Sequence, residues 1–292
     1  MSLSLQGKFS LFDQYVASLA LDSVTLVRFK TGFKTKLIEK LHVDCAISNH
    51  AQSWSNAVAE LEKLLMKSQR GRPITIVLSN QFVRYNIIPA MPPLTASDKI
   101  TTVAMHCFRE IYGDIVDDWL IRVNPLPDGD TLIASAVDAS LVSALEMISK
   151  KHACKLKSIQ PYLMSGFNSI RHQVNKHPSC YVQVEVGRIY ITLTRDGTWQ
   201  SIASCGVGQD WSESLVSLIT REMLLVGWEE VQPTIYFSGL CNSKDIQVSE
   251  AFIKNVSWKT VQVTNKAVAG YSTKSDHHCA MAMSVVGNYA FN

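Results

Sequence analysis

The 292 residues are 47% apolar and 18% charged, which excludes a disordered chain and supplies core for two domains. A net charge of +3, with no basic run interleaved with aromatics, excludes the electrostatic footprint of a nucleic-acid binder. The seven cysteines are odd in number, widely spread and without a CxxC pair, so a disulfide framework is excluded and a reducing compartment is expected.

The cysteines sit among apolar neighbours, as in Met105-His106-Cys107-Phe108, and read as small buried hydrophobes. Residues 1–6 lack a basic segment followed by an apolar one, so no secretory signal is expected. No apolar run approaches the roughly 18 residues that a membrane span needs. A cytoplasmic protein is expected, with any membrane association made through a partner.

In chain order, 16–22 and 24–30 alternate and are rich in β-branched residues, a hairpin joined tightly at Ser23. A third strand follows over 34–43. Ser53 is placed to cap a helix to about residue 67, with Trp54, Ala57, Val58, Leu61, Leu64 and Leu65 forming one apolar stripe. After Gly71 and Pro73, the run 74–78 (ITIVL) has the character of a strand buried on both faces.

A strand over 81–88 ends at Pro89, Pro92 and Pro93. Thr95 and Ser97 offer caps to a helix whose expected buried face is Ile100, Val103, Cys107, Phe108, Ile111 and Tyr112, ended by Gly113. Strands at 119–123 and 131–137 flank an open tip, 124–129. Asp138 caps a helix to about 152, 156–159 is a strand, and Pro161 opens a helix to about 172.

From Cys180 the first order of elements returns. Strands at 181–186 and 188–194 turn at Gly187, Asp196-Gly197 marks a second turn, and 199–205 is a third strand. Asp210 and Glu213 form a capping-box variant at the start of a helix with Trp211, Leu215, Leu218, Ile219, Met223 and Val226 on one side. Gln232-Pro233 then launches 234–237 as Arg72-Pro73 launches 74–78. A helix over 246–253, a strand over 258–263 and a helix over about 276–286 complete the chain.

The two units are offset by roughly 160 residues with five elements in the same order, which marks a duplicated plan. A three-stranded meander, a helix and a parallel strand make the core of the ribonuclease H-like unit, and two copies facing a cleft make the actin-like α/β architecture, here a duplicated βββαβα fold. The expected boundaries are 14–175 for the first lobe, with an inserted α/β subdomain at about 81–137, and 176–292 for the second.

Short stretches then carry a resemblance: 76–85 (IVLSNQFVRY), 158–161 (SIQP) followed by Phe167-Asn168, 196–200 (DGTWQ) and 280–283 (AMAM). On these and on the order of elements, the chain resembles the actin-like proteins of bacterial envelope machines: PilM of type IV pilus assembly, its MSHA-pilus relative MshI, and the cytoplasmic domain of the type II secretion protein GspL.

The resemblance implies a nucleotide cleft that takes ATP and Mg²⁺. Its stations fall on Asp22 and Ser23 in the first hairpin, on Glu185 and Gly187 in the second, on Gly206 and Gly208, and on Ser238 and Gly239 at the adenosine end. Phosphates approach backbone N–H groups through glycine turns. Here the first hairpin has no glycine, the second is crowded by Val186 and Arg188, and Ser238-Gly239-Leu240 retains one of two paired glycines. Asp22 and Glu185 therefore stand equally as solvated or capping turn carboxylates, and no catalytic residue is assigned.

Asp276-His277-His278-Cys279 gathers metal-ligand types, but helical neighbours point about 100° apart, so a helix start with exposed histidines is expected and no metal site. No GxSxG, HExxH or P-loop occurs. Arg28, Lys30, Lys34, Lys36 and Lys40 share two strands, as a solvated face or as a patch for anionic headgroups.

The expected function is a cytoplasmic scaffold of a pilus or secretion machine at the inner membrane, bound to a single-pass PilN-like partner whose N-terminal peptide docks on the actin-like body. A homo-oligomer is compatible with it. An active ATPase of the same machinery is the alternative, and a sugar or metabolite kinase a third reading, which lacks a catalytic Asp in a glycine-rich context.

Overall fold

The computed structural model describes residues 13–30, 35–47, 52–89, 97–125, 131–174, 177–208, 210–239, 258–263, 268–272 and 276–286. The expected helix over 246–253 and the tip at 126–129 lie outside the described residues. The chain divides into two compact units, one of residues 1–80, 140–169 and 265–292, the other of residues 81–139 and 170–264.

The first unit is built on β1 (Asp13–Leu19), β2 (Ser23–Lys30), β3 (Lys36–Asp44), α1 (Ser55–Met66), β4 (Pro73–Leu78), α3 (Ala139–Lys151) and β8 (Lys155–Pro161). Its five-stranded sheet has the order β3-β2-β1-β4-β8. β1 to β3 are antiparallel, whereas β4 pairs parallel with both β1 and β8. Parallel strands in the middle of a sheet are covered on both faces, and the run at 74–78 is buried throughout. On one face, α1 packs against β1 and β2 through Ala57, Val58, Leu61, Leu64 and Leu65.

The other face is closed by α6 (Ala280–Val286), whose Ala282, Met283, Val285 and Val286 pack with Val16, Val27, Phe29 and Val77. The crossing helix α4 (Tyr162–Val174) starts where Leu163 N–H donates to Asn80 Oδ1 at 2.8 Å, so a fully buried Asn80 satisfies one of the open N–H groups of its first turn.

The second unit repeats the plan with β9 (Ser179–Glu185), β10 (Arg188–Arg195), β11 (Thr198–Gly206), α5 (Trp211–Leu225), β12 (Thr234–Gly239) and β13 (Lys259–Gln262), in the order β11-β10-β9-β12-β13. β12 again pairs parallel with β9 and with the following strand. Asp196 and Gly197, both at positive φ, make the two-residue β10–β11 turn that an Asp-Gly pair favours. The same unit holds a three-stranded sheet, β5-β7-β6, from β5 (Val83–Pro89), β6 (Trp119–Pro125) and β7 (Thr131–Asp138). α2 (Ser97–Tyr112) covers it through Ala104 and Phe108.

Several local expectations are corrected. The residue ahead of α1 is Trp54, in helical conformation and with no side-chain cap, so Ser53 does not cap. Asp210 makes no side-chain cap bond either; only its carbonyl accepts from Glu213 N–H, at 3.2 Å. Ile111 and Tyr112 are exposed, because the buried stripe of α2 stops at Phe108. The segment at 276–279 is not an exposed helix start. Asp276 is buried, accepts from Lys40 Nζ at 2.6 Å and from Ser272 N–H at 2.8 Å, and the His278 ring lies 4.7 Å from that of His42.

The basic patch is thereby reduced: Arg28 pairs with Asp13 and Glu39, and Lys40 with Asp276. Lys34 lies outside the described residues.

Burial pushes the Asp276 carboxyl up, but the Lys40 ammonium and the Ser272 N–H outweigh it and hold the group below its ordinary 3.8. A depressed carboxyl contributes stability that is present above the ordinary value and lost as pH falls through the folded one. Lys40→Met therefore lowers stability most near neutrality, and the deficit relative to the unaltered protein shrinks as pH falls through the carboxyl's range, as read by chemical denaturation followed by circular dichroism from pH 7 downwards.

Candidate functional site

The expected nucleotide stations lie on both units, Asp22 and Ser23 on the first and the remainder on the second. In the first, β1 and β2 are joined through Ala20 to Asp22, and Ala20 N–H donates to Ser23 O at 2.9 Å. The Ser23 hydroxyl donates to Asp22 Oδ1 at 3.2 Å, and the Asp22 carbonyl accepts from Cys45 N–H at 2.6 Å. Asp22 is half-buried. The turn is thus closed by its own hydrogen bonds and by β3's far end, and it offers no run of glycine N–H groups to a phosphate.

In the second unit, β9 and β10 turn through Val186 and Gly187, with Gly187 at φ +71° and Val186 exposed. Glu185 closes β9, but it is only 4% exposed. The solvated-carboxylate reading is corrected here, and residues 81–85 lie beside the hairpin. Gln81, which precedes β5, donates from Nε2 to the Val186 carbonyl at 3.0 Å, and β5 packs against β11. Tyr85 of β5 enters the surroundings of Glu185, Tyr190 and Tyr181. Burial first, and then the Glu185 charge, push the Tyr85 phenol well above its ordinary value. Tyr190 is pushed up for the same two reasons, with Arg188, Ser204 and Arg84 opposing.

At the end of β12, Ser238 Oγ and Tyr181 OH share a 2.6 Å hydrogen bond, and Gln183 Nε2 donates to the same phenol at 3.3 Å. Gly239 has φ +96°, and a Cβ there would overlap the Val184 carbonyl oxygen of β9. The glycine thus serves the close pairing of β12 with β9. Gly206 and Gly208 have open space where a Cβ would stand, so nothing crowds the chain at either position.

Neither hairpin presents the run of glycine N–H groups that a phosphate would use. One hairpin is closed on itself, the other is clasped by Gln81 and Tyr85, and the remaining paired glycine is filled by backbone. Among the described residues no group of three or more His, Cys, Asp or Glu is arranged for a metal ion. Nor is any described helix long and apolar enough to cross a membrane. The clasp was not legible in the sequence, though Gln81 and Tyr85 both lie in the 76–85 stretch that carries the resemblance.

Two outcomes follow from this geometry. Gly239→Ala forces an L-residue into a strained φ against backbone and lowers unfolding free energy by roughly 3 kcal/mol in chemical denaturation. Cys45 is held up at about 11 by burial and then by Glu60, Asp22 and Asp44. It reacts with a thiol reagent at pH 8 about 100-fold slower than its half-buried position suggests, and Asp22→Asn speeds it.

No protein-family model and no curated protein matches the sequence. Solved structures do match over nearly the whole chain. One from a PilM-PilN type IV pilus biogenesis complex is 12% identical with a TM-score of 0.68, covering 97% of this chain and all of that one. The cytoplasmic domain of EpsL, an inner-membrane component of the type II secretion system of Vibrio cholerae, is 10% identical at TM-score 0.59, covering 96% of each chain. A Bacteroides thetaiotaomicron protein of actin-like ATPase fold and unknown function is 14% identical at 0.59, covering 93% of this chain and 98% of its own. With two sheets of one strand order and these likenesses across its length, the chain has the actin-like fold.

Proposed function

We propose that the protein is a non-catalytic scaffold of a pilus- or type II secretion-type assembly machine, held at the cytoplasmic face of an inner membrane by a single-pass, PilN-like partner. The observation that carries this reading is the burial of Glu185 at the β9–β10 hairpin, with Tyr85 close by, where an actin-like ATPase needs an accessible carboxylate. Support for the machine comes from full-length similarity to a chain of the PilM-PilN complex and to the EpsL cytoplasmic domain. A scaffold needs only a stable body with surfaces, and both sheets supply one. An active ATPase is the competing reading, motivated by the retained Asp22 and Glu185 at corresponding hairpins.

Titration calorimetry with ATP and Mg²⁺ up to millimolar concentration is expected to give no binding heat, and phosphate release to stay at background. Saturable heat abolished by Glu185→Gln would instead support the ATPase. In cells, the protein is expected to sediment with membranes and to become soluble when its single-pass partner is deleted. Persistent membrane association after removal of every such partner overturns the scaffold's mode of attachment.

A further inference from the structure

The C-terminal end of α5 carries a pocket of about 290 Å³ that no step above uses. Gly227, at φ +69°, turns the chain back on the helix. The turn is held by Val226 N–H to Met223 O at 3.2 Å, Gly227 N–H to Leu224 O at 3.2 Å and Trp228 N–H to Met223 O at 2.9 Å. Trp228 is thereby fixed at 1% exposure, with the Arg195 guanidinium 4.7 Å from its ring centre. Met223, Leu224, Trp228, Val231 and Trp258 give the pocket an apolar lining, and Glu229 and Glu230 add two carboxylates.

We infer that this pocket is a docking site for a short peptide segment of a partner protein, one that places a bulky apolar side chain beside lysine or arginine. The volume lies at the lower edge of the roughly 300 to 1,000 Å³ of small-molecule sites, so it suits an anchoring side chain more than a whole cofactor. Both charged groups in the lining are acidic, and neither is ion-paired among the described residues. That favours a cation and disfavours phosphate-bearing ligands.

Leu224 and Leu225, 55% and 74% exposed, extend the apolar surface outward. Aromatic lining beside carboxylates matches a peptide that alternates apolar and basic groups. A two-fold contact between copies would set Glu229 and Glu230 against themselves, which disfavours a second copy of this chain. Because the turn is hydrogen-bonded, the pocket is formed before any partner arrives. It would serve this role whether or not a membrane partner holds the protein elsewhere.

The test uses the full chain and a fluorescein-labelled peptide containing Lys-Phe-Lys, with Lys-Ala-Lys and Glu-Phe-Glu peptides as controls. Anisotropy is expected to show binding of the first peptide alone, weakened as salt rises, with a Kd at least tenfold higher for the Glu229→Lys, Glu230→Lys double variant and for Trp258→Ala. Both glutamates are exposed, so the double variant is expected to keep the wild-type circular dichroism. No binding by about 1 mM, equal binding of the controls, or binding indifferent to both variants overturns the inference. A concentration-dependent dimer abolished by Leu225→Glu, without peptide binding, assigns the face to a second copy and overturns it equally. Loss of peptide binding in vitro leaves membrane recruitment unchanged if the two sites are separate, so this result and that of the partner deletion are distinguishable.

Discussion

The parallel pairing of the first meander strand with the strand that follows the helix is the constraint on which both sheets depend. β1 with β4, and β9 with β12, leave no short way to connect, so the chain must cross over through a helix and cover the sheet as it goes. That requirement explains why β4 is apolar without alternation, and why α1 and α5 both turn a wide apolar stripe inward. It also fixes the two points from which further segments depart. The chain leaves the first sheet after β4 and re-enters it at β8.

The two sheets satisfy this constraint with different chemistry. The first is apolar on the face that α6 closes, through Val16, Val27, Phe29 and Val77. In the second, one face is the apolar floor for α5, while Tyr181, Gln183, Glu185, Tyr190, Thr192 and Thr194 are buried on the alternate positions of β9 and β10. Among the described residues the Thr192 and Thr194 hydroxyls are buried and have no hydrogen-bond partner. Tyr85 meets this polar face beside Glu185, and a fixed polar contact discriminates between alternative seatings of a segment better than an apolar one.

The strands and their duplication were legible because a period of two, Gly and Asp-Gly turns, and Pro at the entry to β4 and just before β12 are local signals. What failed was cap geometry, the extent of a buried stripe, and whatever depends on partners distant in sequence. Ser53 and Asp210 have cap chemistry, but Trp54 is already helical at φ −83°, ψ −11°, and Asp210 lies at ψ 29°, outside the extended conformation a cap needs. Ile111 and Tyr112 continue the apolar spacing of α2 past its buried stripe, so periodicity alone could not reveal their exposure. Asp276 is drawn inward by Lys40, more than two hundred residues earlier. Of the candidate site, residue positions at the hairpins were legible. The burial of Glu185 was not, because the hairpin's neighbours, Gln81 and Tyr85, lie about a hundred residues upstream.

This last point bears on what kind of machine part the fold can be. In the second unit, Gln81 holds the Val186 carbonyl, and Tyr85 of the following strand lies close enough to Glu185 to feel its charge. Glu185 is buried there, whereas Val186 and Gly187 at the turn itself stay exposed. Residues 81–89 and the second sheet are thus joined by a hydrogen bond at the turn and by the packing of β5 on β11. A nucleotide-driven cycle needs two arrangements of similar free energy, whereas the scaffold proposed above needs only one.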